Sequence, residues 1–487
     1  MSEISKIRPQ VLWQQFDAIC QIPRPSKHEE KIIEYLLAFG KKHGIETKRD
    51  KAGNVLMRKP ATPGYEGLKS VVLQSHVDMV CEKNSDVKHD FMVDPIRPVQ
   101  EGDWVRAQGT TLGADDGIGV AAQLAILIDP SIEHGPLECL FTVDEETGLT
   151  GAFALEAGFL ESEILLNLDS EDEGELFIGC AGGIDTTATF RYTTKGTPAD
   201  TRTFRLAVVG LQGGHSGDDI HKGRGNSIKL MARLLSRVDA EMGIFLINLE
   251  GGNLRNALPR ECFATFAISN KNTEALQQLV EQMRHDLQHE YRSTEPSLSI
   301  ELMPGDVSSV VMEKESQDKL IRMLLGLPHG AIEFSREIPG LVETSTNLAS
   351  IKRVDANALF ITTSQRSSVD SAKEYIAAAV ESVFKLAGCE VEHSDGYPGW
   401  APDPQSPILE VTVDAYKQLF KTEPVVRAIH AGLECGLFLE KYPKLDMVSF
   451  GPTIRGAHSP DERIDVKSTV KFWNLLLEVL KNVPTAC

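Results

Sequence analysis

The chain alternates between helical and extended hydrophobic patterns. In HEEKIIEYLLAFGKKHG (28–44), apolar residues recur at helical spacing, and Lys41, Lys42 and His43 stand just before Gly44. A basic last turn followed by glycine is a helix-stop signal. SVVLQSHVDMV (70–80), PLECLFTVDEE (136–146) and EILLNLDSE (163–171) read as strands that run into polar ends, and GIGVAAQLAILID (117–129) reads as a helix with few polar positions. Strands that are apolar on both faces and alternate with helices predict a mainly parallel sheet covered on both sides.

From about residue 188 to 397 the pattern changes. RTFRLAVVGL (202–211), IFLINLEGG (244–252), RECFATFAIS (260–269) and NALFITTSQRSS (357–368) read as half-buried strands. NSIKLMARLLSRV (226–238), NTEALQQLVEQMRHDLQHEY (272–291) and DSAKEYIAAAVESVFKLAG (370–388) read as amphipathic helices. After the proline- and glycine-rich stretch 394–407 the first texture resumes, with strands predicted at 425–430 and 445–452 and a closing helix at 469–483. The pattern therefore predicts an α/β catalytic domain made of residues 1–187 and 398–487, interrupted by an inserted α+β module over 188–397.

Composition narrows the function classes. Among 487 residues, 50 basic residues face 70 acidic ones, a formal net charge of -20. Such a field repels nucleic acid and anionic membrane surfaces, so neither is an expected partner, whereas cations are attracted. The eight cysteines are scattered and form no C-x-x-C pair, which argues against a disulfide framework. Cys139, within LECLFTV, reads as a small buried hydrophobe. The opening MSEISKIRPQ lacks the apolar stretch of a signal peptide and no run of 18 apolar residues occurs, so the expectation is a cytoplasmic protein.

The candidate chemistry lies at predicted strand ends, where ligands bind in open α/β sheets. His76 and Asp78 close VVLQSHVD, Glu145 and Glu146 close LFTVDEE, and Asp169 closes ILLNLD. Asp115 sits in the turn TTLGADDGIG before a helix, and His458 in GPTIRGAHSPDE. Taken singly each residue reads as an ordinary solvated or hydrogen-bonded group; their joint recurrence at strand ends and helix starts gives the pattern its weight. Histidines mixed with carboxylates suit Zn²⁺, Mn²⁺ or Co²⁺ better than Ca²⁺. Five or more such ligands fit a pair of ions about 3.5–4 Å apart with one carboxylate between them. Rival motifs are poor. Gly117-x-Gly119-x-x-Ala122 matches a dinucleotide fingerprint but does not follow an apolar strand, and there is no Walker A, G-x-S-x-G or H-E-x-x-H motif. GCAGG (179–183) reads as a tight turn.

The motifs SHVDMV, GADDGIG, TVDEETG, NLDSE, GGHSG and GAHSPDE, in this order, resemble those of the M20 metallopeptidases. GGNLRNALPRE, YPGWAPD and IHAGLECG sharpen the resemblance to the aminoacyl-histidine dipeptidases of that family. The resemblance implies two divalent ions, most often zinc, with His76 and Asp169 on one, Glu146 and His458 on the other, and Asp115 bridging. It implies Glu145 as general base, Asp78 standing behind His76, and a cis peptide between Asp115 and Asp116. From the insert it implies His215 of GGHSG as oxyanion donor, and Asn256 and Arg366 as holders of the substrate's carboxylate or tetrahedral centre. Gly432 and Glu434 would line the pocket for the substrate's amino end. Closure of the insert as a lid would bring His215 and Arg366 over the metals.

The activity so implied is hydrolysis of unblocked dipeptides, notably Xaa-His, with a small peptide as the partner and room for a homodimer through the insert. Two other readings stand beside it: a different amidohydrolase on the same scaffold, such as a tripeptidase or aminoacylase, and a non-catalytic metal-binding scaffold. The last has no use for both a base and an oxyanion donor.

Overall fold

A computed structural model describes residues 2–486. The chain forms two compact units, one of residues 1–179, 402–428 and 433–487, the other of 180–401 and 429–432. The second unit starts at Cys180. Its first strand, Gly182–Arg191, is already part of the second unit's sheet, and Ala181 donates its N–H to the carbonyls of Ile429 and Ala431. That pairing draws the short strip 429–432 into the second unit.

The first unit is built on an eight-stranded sheet ordered Glu46–Arg49, Val55–Lys59, Leu137–Thr142, Val71–His76, Ile164–Asn167, Asp446–Ser449, Glu175–Cys180, Val425–Ile429. The four central strands are parallel, whereas Glu46–Arg49, Val55–Lys59 and Glu175–Cys180 pair antiparallel on either side of them. Every residue of Val71–His76, Leu137–Thr142 and Ile164–Asn167 is buried, as expected of strands covered on both faces. Each fully buried Val, Leu or Phe there contributes about 1.5–3 kcal/mol. The helix Ala114–Ile128 packs on Val71–His76 and on the helix Gln10–Cys20. The predicted stop at Gly44 is real: it takes φ 66° after the helix Glu30–His43, a conformation glycine adopts freely. The closing helix Val466–Lys481 is capped by Asp465, whose carboxylate accepts from Ser468 N–H at 2.6 Å.

Register aligns the carboxyl ends of the central strands. His76 pairs with Thr142, Gln74 with Asn167, and Asn167 with Ser449. The loops leaving these strands therefore start side by side, and they carry the acids and histidines singled out above. A separate four-stranded sheet holds Ile454–Arg455 against Arg463–Asp465, with His458 in the loop between them.

The second unit is an antiparallel sheet running Ser299–Pro304, Thr201–Val209, Cys262–Ser269, Phe245–Gly252, Val342–Asp355, Ala358–Ser367, Gly182–Arg191, Glu390–His393. The helices Ser227–Met242, Thr273–Glu290, Lys314–Gly326 and Asp370–Leu386 pack with it around one hydrophobic core. GCAGG is not a turn. Cys180 ends one strand and Gly182 opens the next, and the two glycines allow Tyr397–Gly399 to approach the backbone closely. Gly183 and Tyr397 exchange backbone hydrogen bonds of 3.0 and 2.8 Å. Among the described residues no helix is long and apolar enough to cross a membrane.

Candidate metal centre and active site

Five of the candidate ligands meet in the first unit. Donor atoms of His76, Asp115 and Asp169 lie within 4.8 Å of one another, as do those of Asp115, Glu146 and His458. Asp115 is common to both groups. Its Oδ1 is 3.1 Å from His76 Nε2 and its Oδ2 is 3.1 Å from His458 Nε2. His76 Nε2 also lies 3.3 Å from Asp169, and His458 Nε2 2.9 Å from Glu146.

This arrangement fits cations. His76 Nδ1 is 3.3 Å from Asp78 Oδ1 and has no other partner among the described residues. With the ring proton facing Asp78, Nε2 has only a lone pair to offer two carboxylates, which are themselves acceptors. A divalent ion among these atoms satisfies all of them. Protons are drawn to the same atoms, and the ionisation equilibria shift accordingly. Burial pushes His76 down, but Asp169, Asp115 and Asp78 outweigh it and hold the imidazole well above its usual range. Hydrogen bonds to Asp115 and Glu146 push His458 up to about 11. Burial drives Asp169 up to about 7. The donor set, nitrogen plus carboxylate oxygen, suits a first-row divalent metal.

Glu145 and Glu146 do not end the strand. Leu137–Thr142 stops earlier, and the pair opens a single helical turn, Glu145–Gly148, after Asp144 in the left-handed region. Asp78 reaches this turn as well as His76, because its Oδ1 accepts from Glu145 N–H at 3.0 Å and its Oδ2 from Glu146 N–H at 3.3 Å. Ser26 Oγ donates to Oδ2 at 2.7 Å. Asp78 thus orients His76, a candidate ligand, and the Glu145–Glu146 backbone together, as a carboxylate behind a metal ligand does. Burial raises the Glu145 carboxyl well above its ordinary value; His76 opposes this, and Asp169, Glu434 and Glu146 add to it. Glu145 also groups with His76 and Glu146 within 4.8 Å, close enough to act on a water held there. The peptide Asp115–Asp116 is cis.

His215, Asn256, Arg366 and Gly432 belong to the second unit. His215 Nδ1 accepts from the N–H groups of Gly217 and Asp218, both at 3.3 Å, with the Asp218 carboxylate also 3.3 Å away. The two amides call for a lone pair on Nδ1, whereas the carboxylate beside it calls for a proton there. Asn256 accepts through its backbone carbonyl from Ser216 N–H at 2.8 Å, and Ala257 bridges to His215. Arg366, 8% exposed, donates from Nη1 to Tyr397 Oη at 3.2 Å while its Nε has no partner. The Tyr397 ring also stands against Gly432, where any Cβ would lie 3.0 Å from it.

Glu434 parts company with Gly432 and belongs to the first unit. It is fully buried, accepting from Gln74 Nε2 at 2.6 Å and Thr142 Oγ1 at 2.8 Å. Burial, against the pull of His76 and Thr142, raises it to about 8. The linkage has a definite sign. Between its ordinary 4.5 and about 8 the folded metal-free protein holds a proton that the unfolded chain has lost, so this stabilisation is present at low pH and fades as pH rises through the folded value. Glu434→Gln removes this dependence and keeps an acceptor. Melted after chelator treatment, it should unfold roughly 2–5 °C above the parent at pH 8 and near it at pH 5; identical pH slopes would contradict the account.

Sequence reasoning missed Ser26, Arg24, Tyr397 and Glu462. Glu462 and Tyr397 lie in the motifs GAHSPDE and YPGWAPD, but no spacing marks what either touches. Arg24, in QIPRPSKHEE, carries no signal at all.

A profile of peptidase family M20/M25/M40 matches residues 72–482. The chain belongs to this family. It is 46% identical over 484 residues to the cytosol non-specific dipeptidase of Escherichia coli strain K12, a match covering 99% of this chain and 100% of that one. It superposes on the crystal structure of aminoacylhistidine dipeptidase from Vibrio alginolyticus with a TM-score of 0.94 and 46% identity, over 100% of this chain and 99% of that chain. Aminopeptidase PepT from Bacillus cereus shares the fold, with a TM-score of 0.58 and 18% identity over 98% of this chain and 99% of the other. The mixed α/β architecture described above is that of an M20 peptidase, a hydrolase of peptide bonds.

Proposed function

We propose that the protein is a cytoplasmic metallodipeptidase that hydrolyses unblocked dipeptides, Xaa-His among them. The observation that carries this reading is Asp115, whose two oxygens serve two three-residue ligand groups at once. Two relatives that match nearly end to end, at 46% identity, carry the names of dipeptidases. His76 and Asp169 would hold one ion, Glu146 and His458 the other, and Asp115 both, with zinc the first choice and manganese or cobalt alternatives. When bound, the ions supply Lewis acidity toward the scissile carbonyl and acidify a water. Glu145 would be the group that takes a proton from the attacking water and passes it to the leaving amine. Asp78 keeps His76 and the Glu145 turn in register. His215 is our candidate donor to the oxygen of the tetrahedral centre, and Arg366 with Asn256 our candidates to hold the substrate's terminal carboxylate. Gly432 leaves room beside Tyr397, while Glu434, buried on Gln74 and Thr142, supports the carboxyl ends of the central strands.

The test is release of histidine from β-Ala-His and Gly-His. Chelator-treated protein should be inactive, and Zn²⁺ or Mn²⁺ should restore turnover. N-acylated dipeptides should be poor substrates. Turnover restricted to N-acyl substrates would favour an aminoacylase instead, and metal binding with no hydrolysis of any peptide would favour a scaffold.

A further inference from the structure

The metal ligands sit on segments far apart in sequence, and two buried charged residues join three of these segments. Glu462 and Arg24 are each 2% exposed. Glu462 Oε2 accepts from Leu112 N–H at 2.7 Å and Gly113 N–H at 2.9 Å; Oε1 accepts from Ala114 N–H at 2.7 Å and more weakly from Asp115 N–H at 3.4 Å. Arg24 Nη2 donates to Gly113 O at 2.5 Å, and its Nη1 donates to Val77 O at 2.9 Å and Asp78 O at 2.8 Å. The same residue, Gly113, is therefore held by its N–H and by its carbonyl. It takes φ 68°, and a Cβ there would collide with the Arg24 guanidinium.

Burying a carboxylate and a guanidinium is costly unless their hydrogen-bonding capacity is met. A helix start needs no such device, since a local Ser or Asp normally caps it. Here the cap residue Gly113 offers no side chain, and the first amides of Ala114–Ile128 are met by a carboxylate some 350 positions away in the sequence. Glu462 in turn lies four residues after His458, in a turn closed by Glu462 N–H to Ser459 O at 3.0 Å and Ser459 N–H to Gly456 O at 3.2 Å. Arg24 binds the backbone immediately after His76. The pair links the segments bearing His76, Asp115 and His458.

We propose that Arg24 and Glu462 are positioning residues that fix Asp115 between His76 and His458, so that metal affinity depends on them although neither touches a metal. This rests on the reading of Asp115 as the shared ligand. In Glu462→Gln one oxygen becomes an amide NH₂ that faces backbone N–H groups, and part of the grip on the Asp115 segment is lost.

The experiment is calorimetric titration of Mn²⁺ into the chelator-treated full chain. Parent protein should take up two ions; failure to do so refutes the two-metal reading itself. Glu462→Gln should bind them roughly 10–100-fold more weakly, as loss of such supporting partners does. Leu476→Ala, in the core of the closing helix, should lower the melting temperature but keep the parent's Mn²⁺ affinity. Affinity of Glu462→Gln within threefold of the parent, or an equal loss in Leu476→Ala, would overturn the proposal. If Glu462→Gln does not fold, Arg24→Lys, which replaces the two-nitrogen fork with a single ammonium, is judged by the same thresholds.

Discussion

Glu145→Ala is expected to lower kcat by roughly 10²–10⁴-fold or more with metal content unchanged. The expectation follows from where the carboxylate sits. Its backbone N–H is anchored on Asp78 Oδ1, so the turn survives loss of the side chain. The ligand pairs His76–Asp169 and His458–Glu146 are built without it. A buried carboxyl whose proton affinity is raised by its surroundings is a strong base once nearby cations keep it ionised, which is what proton transfer from a water requires. Metal analysis beside steady-state kinetics checks this. Loss of one ion along with activity would make Glu145 a ligand, and retained activity would remove it from the mechanism.

Asp115→Ala should have a still broader effect, with both ions weakened by at least about 100-fold and turnover reduced to background at micromolar metal. Asp115 is the only residue common to the two ligand groups that hold His458 and Asp169. Burial disfavours its charge, yet hydrogen bonds from His458 and His76 hold its carboxyl far below the usual range. Without it, the two histidines lose a common partner and the remaining carboxylates, Asp169 and Glu146, lie in separate groups. Calorimetry with Zn²⁺ or Mn²⁺ separates this from Glu145→Ala: one variant loses metal, the other loses only chemistry. Loss of a single ion in Asp115→Ala would mean that the carboxylate belongs to one site rather than both.

The two variants also show what was legible in the sequence. The central strands could be read because they are buried on both faces, so a mainly apolar run, with isolated polar residues such as Gln74, Glu138 and Asn167, leads into an acid or histidine. His76, Glu145, Glu146 and Asp169 all follow such runs. The antiparallel edges could not be read, because the hydrophobic run looks the same whichever direction a neighbour takes. The long strand Val342–Asp355 was missed because it carries Glu343, Thr344, Ser345, Thr346 and Asn347 in sequence, a polar stretch that the sheet nevertheless buries in large part. GCAGG was misread because glycine pairs mark both turns and places where another backbone must approach, and only the partner, Tyr397–Gly399, decides between them. Glu462 and Arg24 stayed hidden for a related reason. Their partners are backbone N–H and carbonyl groups, which every residue possesses, so no side-chain pattern points to them. Glu434 looked like its neighbour Gly432 in sequence but is packed on Gln74 and Thr142, contacts that no local spacing encodes.

The most direct test of the whole account is anomalous diffraction from crystals grown with Zn²⁺, recorded at the zinc edge. Two peaks about 3.5–4 Å apart, one beside His76 and Asp169, the other beside His458 and Glu146, and both within bonding distance of Asp115, are what the account predicts. A single peak, or peaks away from Asp115, would contradict it.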